Sequence, residues 1–226
     1  RSHSVNVSTM ASIVTAGAGV PVCKHGNRAA SSKCGSADLL ESAGVAVELD
    51  PIGVQACVEE VGFGFCLAAR FHPAFRYTGP SRREIGIPTV FNMLGPMANP
   101  APISNMLVGV AMPNMMEAMV GALASRNVTS AWVVHGHGGL DELAVSGPNI
   151  VYELRDGNIS RFEIDAAEFG IAHSTLADIR GGDATDNLAI MNDLFAGKTG
   201  AVRDIVTFNA GCALFVANHV GSVADG

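Results

Sequence analysis

The segment Lys24–Ser36, with the sequence KHGNRAASSKCGS, carries the residue types that bind phosphate groups. It combines Lys and Arg cations with His, Asn and Ser side chains and two glycines. Cations, hydroxyls and exposed backbone N–H groups all favour phosphate oxygens. The segment follows a short apolar run, Val20–Cys23, that predicts a buried strand, and open α/β sheets bind anions where such a strand leads into a helix. The alternative is a polar surface turn with helix caps, and composition alone leaves both interpretations open.

A second candidate is the acidic pair Asp141 and Glu142, which closely follows the predicted strand Ser130–His135. Two adjacent carboxylates suit Mg²⁺, an ion that takes one or two carboxylates together with water and phosphate oxygens. Two alternatives stay open. His135 and His137 could hold a transition metal, or the pair is a solvated turn in which Asp141 caps a helix.

The motifs of nucleophilic catalysis and of the common nucleotide-binding loops are absent from the sequence. There is no G-x-S-x-G, G-x-x-x-x-G-K-[ST] or G-x-G-x-x-G, and no cysteine has a defined histidine partner. A phosphate-binding loop, a Mg²⁺ pair and the cations Arg82 and Arg83, which suit a carboxylate, together indicate group transfer from a phosphorylated donor. Such an enzyme works by positioning its substrates and stabilising charge.

The composition is that of a globular protein and excludes several classes. The 226 residues are 48% hydrophobic and 15% charged, with a net charge of -7. They fit one large α/β domain or two small ones, and the negative charge argues against a nucleic-acid partner. The five cysteines are scattered without C-x-x-C spacing, which favours a reducing, cytoplasmic location. No apolar run approaches the ~20 residues that span a membrane.

The alternation of apolar runs and helical patterns predicts an α/β fold, with a mostly parallel sheet and helices on both faces. The predicted strands are Val20–Cys23, Val45–Leu49, Phe63–Leu67, Met106–Ala111, Ser130–His135, Ile150–Arg155 and Ile159–Ile164. The predicted helices are Ser8–Gly17, Ala37–Ala43, Ile52–Val61, Met115–Arg126, Asn187–Phe195 and Ala201–Ala217. The proline-rich stretch 70–102 is predicted to be an excursion from the sheet that carries function.

Several motifs, in their order and spacing, resemble the anthranilate phosphoribosyltransferase family. They are Asn6–Thr9 (NVST), Lys24–Ser36, Arg82 within RREIG, Thr89–Pro100 (TVFNMLGPMANP) and Gly139–Leu143 (GLDEL). The resemblance runs from about Val5 to the end of the chain. It implies a fold like that of nucleoside phosphorylases and phosphoribosyltransferases, with part of a small helical domain. It also implies transfer of the phosphoribosyl group of phosphoribosyl pyrophosphate to anthranilate, in tryptophan biosynthesis.

The resemblance also implies roles for particular residues. Lys24, Asp141 and Glu142 would be catalytic, and Mg²⁺ would be bound by Ser8, Asp141 and Glu142. Anthranilate would be bound by Asn27 and Arg82, with Arg82 holding its carboxylate. Phosphoribosyl pyrophosphate would be bound by Asn6, Val7, Ser8, Thr9, Lys24, His25, Gly26, Asn27, Arg28, Ala29, Ala30, Ser31, Ser32 and Ser36.

The chain departs from the family at its start, where Arg1–Ser4 stands in place of a glycine-rich GTGGD loop. We therefore expect residues 1–226 to be the C-terminal catalytic part of a longer protein, itself a homodimer, with the 70–102 excursion packing against its helical domain. We expect the chain alone to bind the donor weakly and to turn over slowly or not at all. The alternatives are a related nucleoside phosphorylase-fold enzyme and a non-catalytic paralogue that binds nucleic acid.

Overall fold

Strands and helices alternate through most of the chain. A computed structural model describes residues 4–29, 33–77, 84–85, 94–95, 97–126 and 128–226. The strands are β1 (Val22–Gly26), β2 (Phe63–Leu67), β3 (Asn105–Gly109), β4 (Ser130–His135), β5 (Asn149–Arg155) and β6 (Asn158–Ile164). The helices are α1 (Val7–Gly17), α2 (Ser36–Ser42), α3 (Pro51–Val61), α4 (Ala68–Phe71), α5 (Met116–Ala124), α6 (Ala184–Phe195) and α7 (Ala201–Val216).

The described strands form two sheets. Strands β1 and β2 pair in parallel, from Val22 opposite Phe63 to Gly26 opposite Leu67. The second sheet has the order β3-β4-β5-β6, in which β3 and β4 are parallel and the pairs β4–β5 and β5–β6 are antiparallel.

The α/β class predicted from the sequence is confirmed, but the described strands are mixed in direction and not mostly parallel. Only a short 3-10 turn, His137–Gly139, and no α-helix lies between β4 and β5, and a parallel return normally requires a longer crossover. The tight turn at Asp156 and Gly157, both at positive φ, then reverses the chain into β6. The last two strands are therefore antiparallel.

Strand β4 lies at the centre of the core, because its alternate residues face two apolar layers. Trp132 and Val134 belong to the larger cluster, which includes residues of α1 and α7. Ala131 and Val133 belong to the cluster around α5. Both faces of the sheet are therefore covered, as the apolar run of β4 predicts.

The helix boundaries follow ordinary capping chemistry. Asp50 accepts a hydrogen bond from the Gly53 N–H at the start of α3, and Gly62 ends that helix in the left-handed conformation. Asp183 accepts from the N–H groups of Thr185 and Asp186 at the start of α6. The Gly-Gly-Asp sequence at residues 181–183 thus ends in the cap of α6.

Two strand predictions need correction. The segment Val45–Leu49 is not a strand: Val47 is buried, but Val45 is 39% exposed, and the segment has no ladder partner among the described strands. Strand β1 begins at Val22 and runs on to Gly26, so Lys24 and His25 lie in the strand instead of in the loop that follows. The reason is the pairing with β2, which continues through Leu67.

The described part of the 70–102 excursion lies against β1. The Asn99 side chain donates to the Cys23 carbonyl at 2.8 Å. The His72 ring donates from Nε2 to the Ala98 carbonyl at 2.6 Å and contacts the edge of the His25 ring. Of the helices described, none combines the length and apolar character needed to cross a membrane.

Candidate active site

Strand β1 directs its two polar residues to opposite faces, because side chains alternate along a strand. Lys24 points towards the start of α1, where its Nζ donates to the Ser8 hydroxyl at 3.1 Å. His25 points towards the excursion, where its Nδ1 donates to the Gly95 carbonyl at 3.1 Å. Burial is the main cause that lowers the pKa of His25. The strand therefore presents an ammonium group on one side and an imidazole on the other.

Lys24 and Glu142 are close enough to affect each other's pKa, although Lys24 lies in β1 and Glu142 in the loop between β4 and β5. We define the candidate cleft as the region around these two groups. Burial lowers the pKa of Lys24 to about 8, and the carboxylate of Glu142 opposes that shift. Burial likewise raises the pKa of Glu142 to about 8, with Asp141 adding to the shift and Lys24 opposing it. Charges influence one another in this way only over short distances. The structure thus brings together the cation and the acidic pair that the sequence singles out.

The donor set around Glu142 fits a divalent cation. Oxygen Oε2 of Glu142 is buried and has no hydrogen-bond partner among the described residues, while the neighbouring Asp141 is exposed. In the described part of the chain, no group of three or more His, Cys, Asp or Glu residues is arranged to hold a metal. A cation here would therefore depend on hydroxyl, water or phosphate oxygens as well, which is the manner in which Mg²⁺ binds.

The two histidines beside the acidic pair are engaged elsewhere. His135 donates from Nδ1 to the Val110 carbonyl at 2.7 Å. His137 Nδ1 and the Ser146 hydroxyl lie 3.0 Å apart. Together with the absence of a three-residue metal cluster among the described positions, these contacts favour the acidic pair over the histidines as the cation site.

The ends of β3 and β4 fit closely around the acidic loop, which we define as Gly139–Val145. A β-carbon at Gly109 would overlap the Asp141 carbonyl, and one at Gly136 would overlap the Glu142 carbonyl. The backbone can approach so closely only because both positions are glycine. No helix follows Asp141, since the next element is β5, so Asp141 is not a helix cap.

The donor loop, residues 27–36, is closed by the carboxylate of Asp38 in the first turn of α2. Oxygen Oδ2 of Asp38 accepts from the N–H groups of Ala29 at 2.8 Å and Gly35 at 2.7 Å. A β-carbon at Gly35 would lie 2.5–2.8 Å from backbone atoms of residues 27–29. Ser36 begins α2 and adjoins Gly26. The predicted donor-binding residues Ala30, Ser31 and Ser32 lie outside the described residues.

The polar side chains at the start of the donor loop already have partners within the chain. Arg28 pairs with Glu41 at 2.6 Å and Glu48 at 2.8 Å, and these hydrogen bonds raise its pKa above the ordinary value. Asn27 accepts the Arg28 N–H at 2.9 Å. The predicted anthranilate residue Arg82 lies outside the described residues.

Asn6, just before α1, and the first turn of α1 carry the remaining predicted donor residues. Asn6 donates from Nδ2 to the Cys34 sulfur at 3.2 Å, which ties this turn to the donor loop. Its N–H donates to Oδ1 of Asn187 at 3.3 Å. Val7 and Thr9 are fully buried, and their N–H groups donate to the carbonyls of Val5 and Asn6, so neither residue presents a free group to a ligand in this structure.

Three buried asparagines hold the site loops, and the sequence analysis missed all of them. They are Asn149, Asn187 and Asn209, each at most 4% exposed. Asn187 donates to the carbonyls of Gly182 and Asp183 while it accepts the Asn6 N–H. The available signal was an amide side chain within otherwise apolar surroundings, as in the stretch 205–216, because a buried amide requires hydrogen-bond partners.

The fold and the cleft are those of a glycosyl-transfer domain. A family model described as "Glycosyl transferase family, a/b domain" matches residues 1–226, and the chain belongs to that family. Among curated relatives, the anthranilate phosphoribosyltransferase of Rhodococcus jostii (strain RHA1) is 51% identical over 221 residues, which are 98% of this chain and 61% of the relative. That of Roseiflexus sp. (strain RS-1) is 48% identical over 223 residues, covering 98% of this chain and 65% of the relative.

Solved structures agree with this assignment. The crystal structure of anthranilate phosphoribosyltransferase from Thermus thermophilus matches with a TM-score of 0.92 and 40% identity, covering 98% of this chain and 66% of that one. The Saccharomyces cerevisiae enzyme in complex with PRPP and Mg matches with a TM-score of 0.87 and 26% identity, covering 99% and 63%. The resemblance found in the sequence is thereby confirmed. The chain spans less than two thirds of the length of most of these relatives.

Proposed function

We propose that the chain is the catalytic part of an enzyme that transfers the phosphoribosyl group of phosphoribosyl pyrophosphate to the amine of anthranilate and releases pyrophosphate, a step of tryptophan biosynthesis. The observation that carries this proposal is the shared cleft of Lys24, Ser8 and Glu142. It supplies a cation and a hydroxyl that could bind a diphosphate, and a carboxylate that could bind the Mg²⁺ accompanying it. The names of the relatives support the same reaction.

The donor would lie along the turn before α1, the end of β1 and the donor loop. The hydroxyl groups of Ser8, Ser31, Ser32 and Ser36, with the side-chain amide of Asn27, would bind its phosphate oxygens. Lys24, whose pKa of about 8 keeps most of it protonated at pH 7, would stabilise the negative charge on the pyrophosphate as it leaves. His25, Gly26 and Ala30 would contribute through their backbone.

Mg²⁺ would be bound by Ser8, Asp141 and Glu142 together with oxygens of the diphosphate. When bound, the ion supplies positive charge that neutralises the leaving group. A structure of the yeast relative contains PRPP and Mg. The partnerless Oε2 of Glu142 is the observation from this chain that favours the same use.

The acceptor needs little from the protein besides orientation. The aromatic amine of anthranilate is unprotonated at neutral pH, so no strong general base is required. The reacting ribosyl carbon becomes oxocarbenium-like as its bond to oxygen breaks. Asn27 would orient the acceptor and Arg82 would hold its carboxylate through two parallel hydrogen bonds. A relative in complex with 4-fluoroanthranilate supports an anthranilate-type acceptor.

Titration calorimetry with phosphoribosyl pyrophosphate tests the donor site, and loss of anthranilate fluorescence in the same sample tests turnover. We expect donor binding that requires Mg²⁺ and is lost in Lys24→Met. Lys198→Met, which removes an equally charged residue paired with Asp193 on the surface, is the matched control and should bind normally. Donor binding that is absent, or independent of Mg²⁺, would overturn the proposal.

Arg82→Ala separates the two substrates. We expect it to raise the KM for anthranilate about tenfold or more, while the KM for phosphoribosyl pyrophosphate changes little, because only the acceptor has a carboxylate to lose. Equal effects on both constants would remove Arg82 from the acceptor site.

We further infer that small molecules are the ligands of the cleft and that nucleic acid is not a partner, because the chain carries a net charge of -7 and an acidic pair at the site. None of the cysteines that the structure describes forms a disulfide bond, which fits a reducing, cytoplasmic location. Homodimer formation, with the 70–102 excursion contacting a helical domain, belongs to the same proposal. The exposed Tyr77 and Ile85 support such a contact.

A further inference from the structure

The backbone immediately after Glu142 is held by two buried asparagines from separate elements. Asn209 of α7 accepts the Leu143 N–H at 3.0 Å and donates to the Leu143 carbonyl at 2.8 Å. Asn149 of β5 accepts the Ala144 N–H at 2.6 Å and donates to the Ala144 carbonyl at 3.0 Å. Two consecutive residues of an irregular loop thus have both their N–H and their carbonyl groups bonded to side chains.

Asn149 also reaches the other side of the acidic pair. Its Oδ1 accepts the His137 N–H at 3.3 Å, and its Nδ2 lies within hydrogen-bond distance of the Ile164 carbonyl. A single side chain therefore connects the backbone before Asp141, the backbone after Glu142 and strand β6. The loop that carries the two carboxylates is therefore held by hydrogen bonds on both sides.

Both amides are placed where burial would be costly without these bonds. Asn149 is 0% exposed and Asn209 is 4% exposed, and a buried amide without partners is strongly unfavourable. Asn209 lies inside a helix, where asparagine has a poor intrinsic propensity. Its remaining bond, to the Ile205 carbonyl one turn earlier, completes its hydrogen bonding. Two of the three hydrogen bonds of the Asn209 side chain therefore join it to Leu143.

We infer that Asn149 and Asn209 are positioning residues for Asp141 and Glu142, holding the two carboxylates in the orientation that accepts the Mg²⁺ of the donor diphosphate. This inference rests on the proposed function. Both asparagine side chains are buried and bond only to backbone groups, so they would act through the backbone of the acidic loop. Residues that orient metal ligands from behind in this way strongly affect metal affinity.

The test measures binding of phosphoribosyl pyrophosphate by calorimetry across a Mg²⁺ series, for Asn209→Ser and Asn149→Ser. We expect the Mg²⁺ concentration at half-maximal binding to rise about 10- to 100-fold in each variant, with the KM for anthranilate changed less than about twofold. Val206→Ala is the matched control, because Val206 is fully buried on the same helix but has no side-chain bond to the loop. It should lower the melting temperature while leaving the Mg²⁺ dependence unchanged.

The outcomes separate the two proposals. Mg²⁺-dependent binding by the wild-type chain with an unchanged Mg²⁺ series in both serine variants would overturn the positioning role alone. A wild-type chain that binds no donor at any Mg²⁺ concentration would overturn the proposed function, and the positioning role with it.

If neither serine variant folds, amide hydrogen exchange in the wild-type chain tests whether the asparagines hold the acidic loop. We expect the Leu143 and Ala144 amides to exchange as slowly as those of β4. Exchange as fast as at the exposed turn of Asp156 and Gly157 would show that the asparagines do not hold the loop, and would overturn the inference.

Discussion

The donor loop and the acidic loop meet in one cleft but are stabilised in different ways. The donor loop is exposed at residues 27–29 and is closed by the single carboxylate of Asp38. The acidic loop buries Leu143, Ala144 and Val145 and is fixed by asparagines from two core elements. The half of the site assigned to the ion is therefore held by the core, whereas residues 27–29 of the half assigned to the sugar phosphate are exposed and less constrained.

Gly109→Ala perturbs the acidic loop, and we expect it to have the largest effect on stability and on donor binding. The new methyl group would overlap the Asp141 carbonyl, so we expect a loss of about 3 kcal/mol in the free energy of unfolding, measured by urea denaturation, together with loss of Mg²⁺-dependent donor binding. Gly121→Ala is the control: it lies in α5 with nothing within 4 Å and should stabilise the chain by about 0.5–1 kcal/mol. A stable, ligand-binding Gly109→Ala variant would show that the acidic loop is as adaptable as the donor loop.

Gly35→Ala likewise adds a methyl group, but in the donor loop. The methyl group would crowd backbone atoms of residues 27–29, which can shift towards solvent, so we expect about 1–2 kcal/mol of destabilisation. Calorimetry should show donor affinity reduced about tenfold or more, because the loop is displaced. Gly17→Ala, at the end of α1 with nothing within 4 Å, should lower neither quantity. Destabilisation equal to that of Gly109→Ala would remove the difference between the two loops.

Asp38→Ala removes the carboxylate that closes the donor loop, without adding bulk. Two backbone N–H groups lose a charged acceptor, which should cost about 1–2 kcal/mol of stability and weaken donor binding. Asp50→Ala removes a comparable cap from α3, at about 1 kcal/mol, and should leave donor affinity unchanged. If both variants bind the donor equally well, the Asp38 carboxylate has no role in donor binding.

The double variant Glu41→Gln, Glu48→Gln should have the smallest effect. It removes the two carboxylate charges that pair with the exposed Arg28 guanidinium, and exposed ion pairs are weak. If Arg28 binds the donor, the affinity of the double variant for the donor should rise by less than about fivefold. This gain should shrink at high salt. Glu163→Gln, which breaks the remote pair with Arg161, is the control. A fall in affinity would indicate that the carboxylates help to position Arg28.

The chemistry of the site could be predicted from residue types, because Lys24 and the acidic pair each lie near the end of an apolar strand. Those strands were predictable from continuous apolar runs. The extent of β1 was not, since its polar residues Lys24 and His25 pair with β2 only in the folded chain. Val45–Leu49 has the composition of a strand but no neighbour to pair with among the described strands.

The asparagines could not be predicted, because nothing in the local sequence indicates their partners. The bonds between Asn209 and Leu143 join residues 66 positions apart, and the bond between Asn6 and Asn187 joins residues 181 positions apart. Local patterns specify helices, strands and turns. Contacts at such separations depend on how those elements pack.

The long separation between Asn6 and Asn187 bears on how the protein is made. A ribosome releases the turn before α1 long before it has synthesised the helix that fastens it, so the emerging chain must wait for its last third before the cleft can close. Contacts between such distant residues slow folding and leave apolar surface exposed meanwhile. Premature termination after β6 would therefore leave a polypeptide that contains Lys24 and Glu142 but lacks Asn187 and Asn209, two of the asparagines that hold the loops of the site.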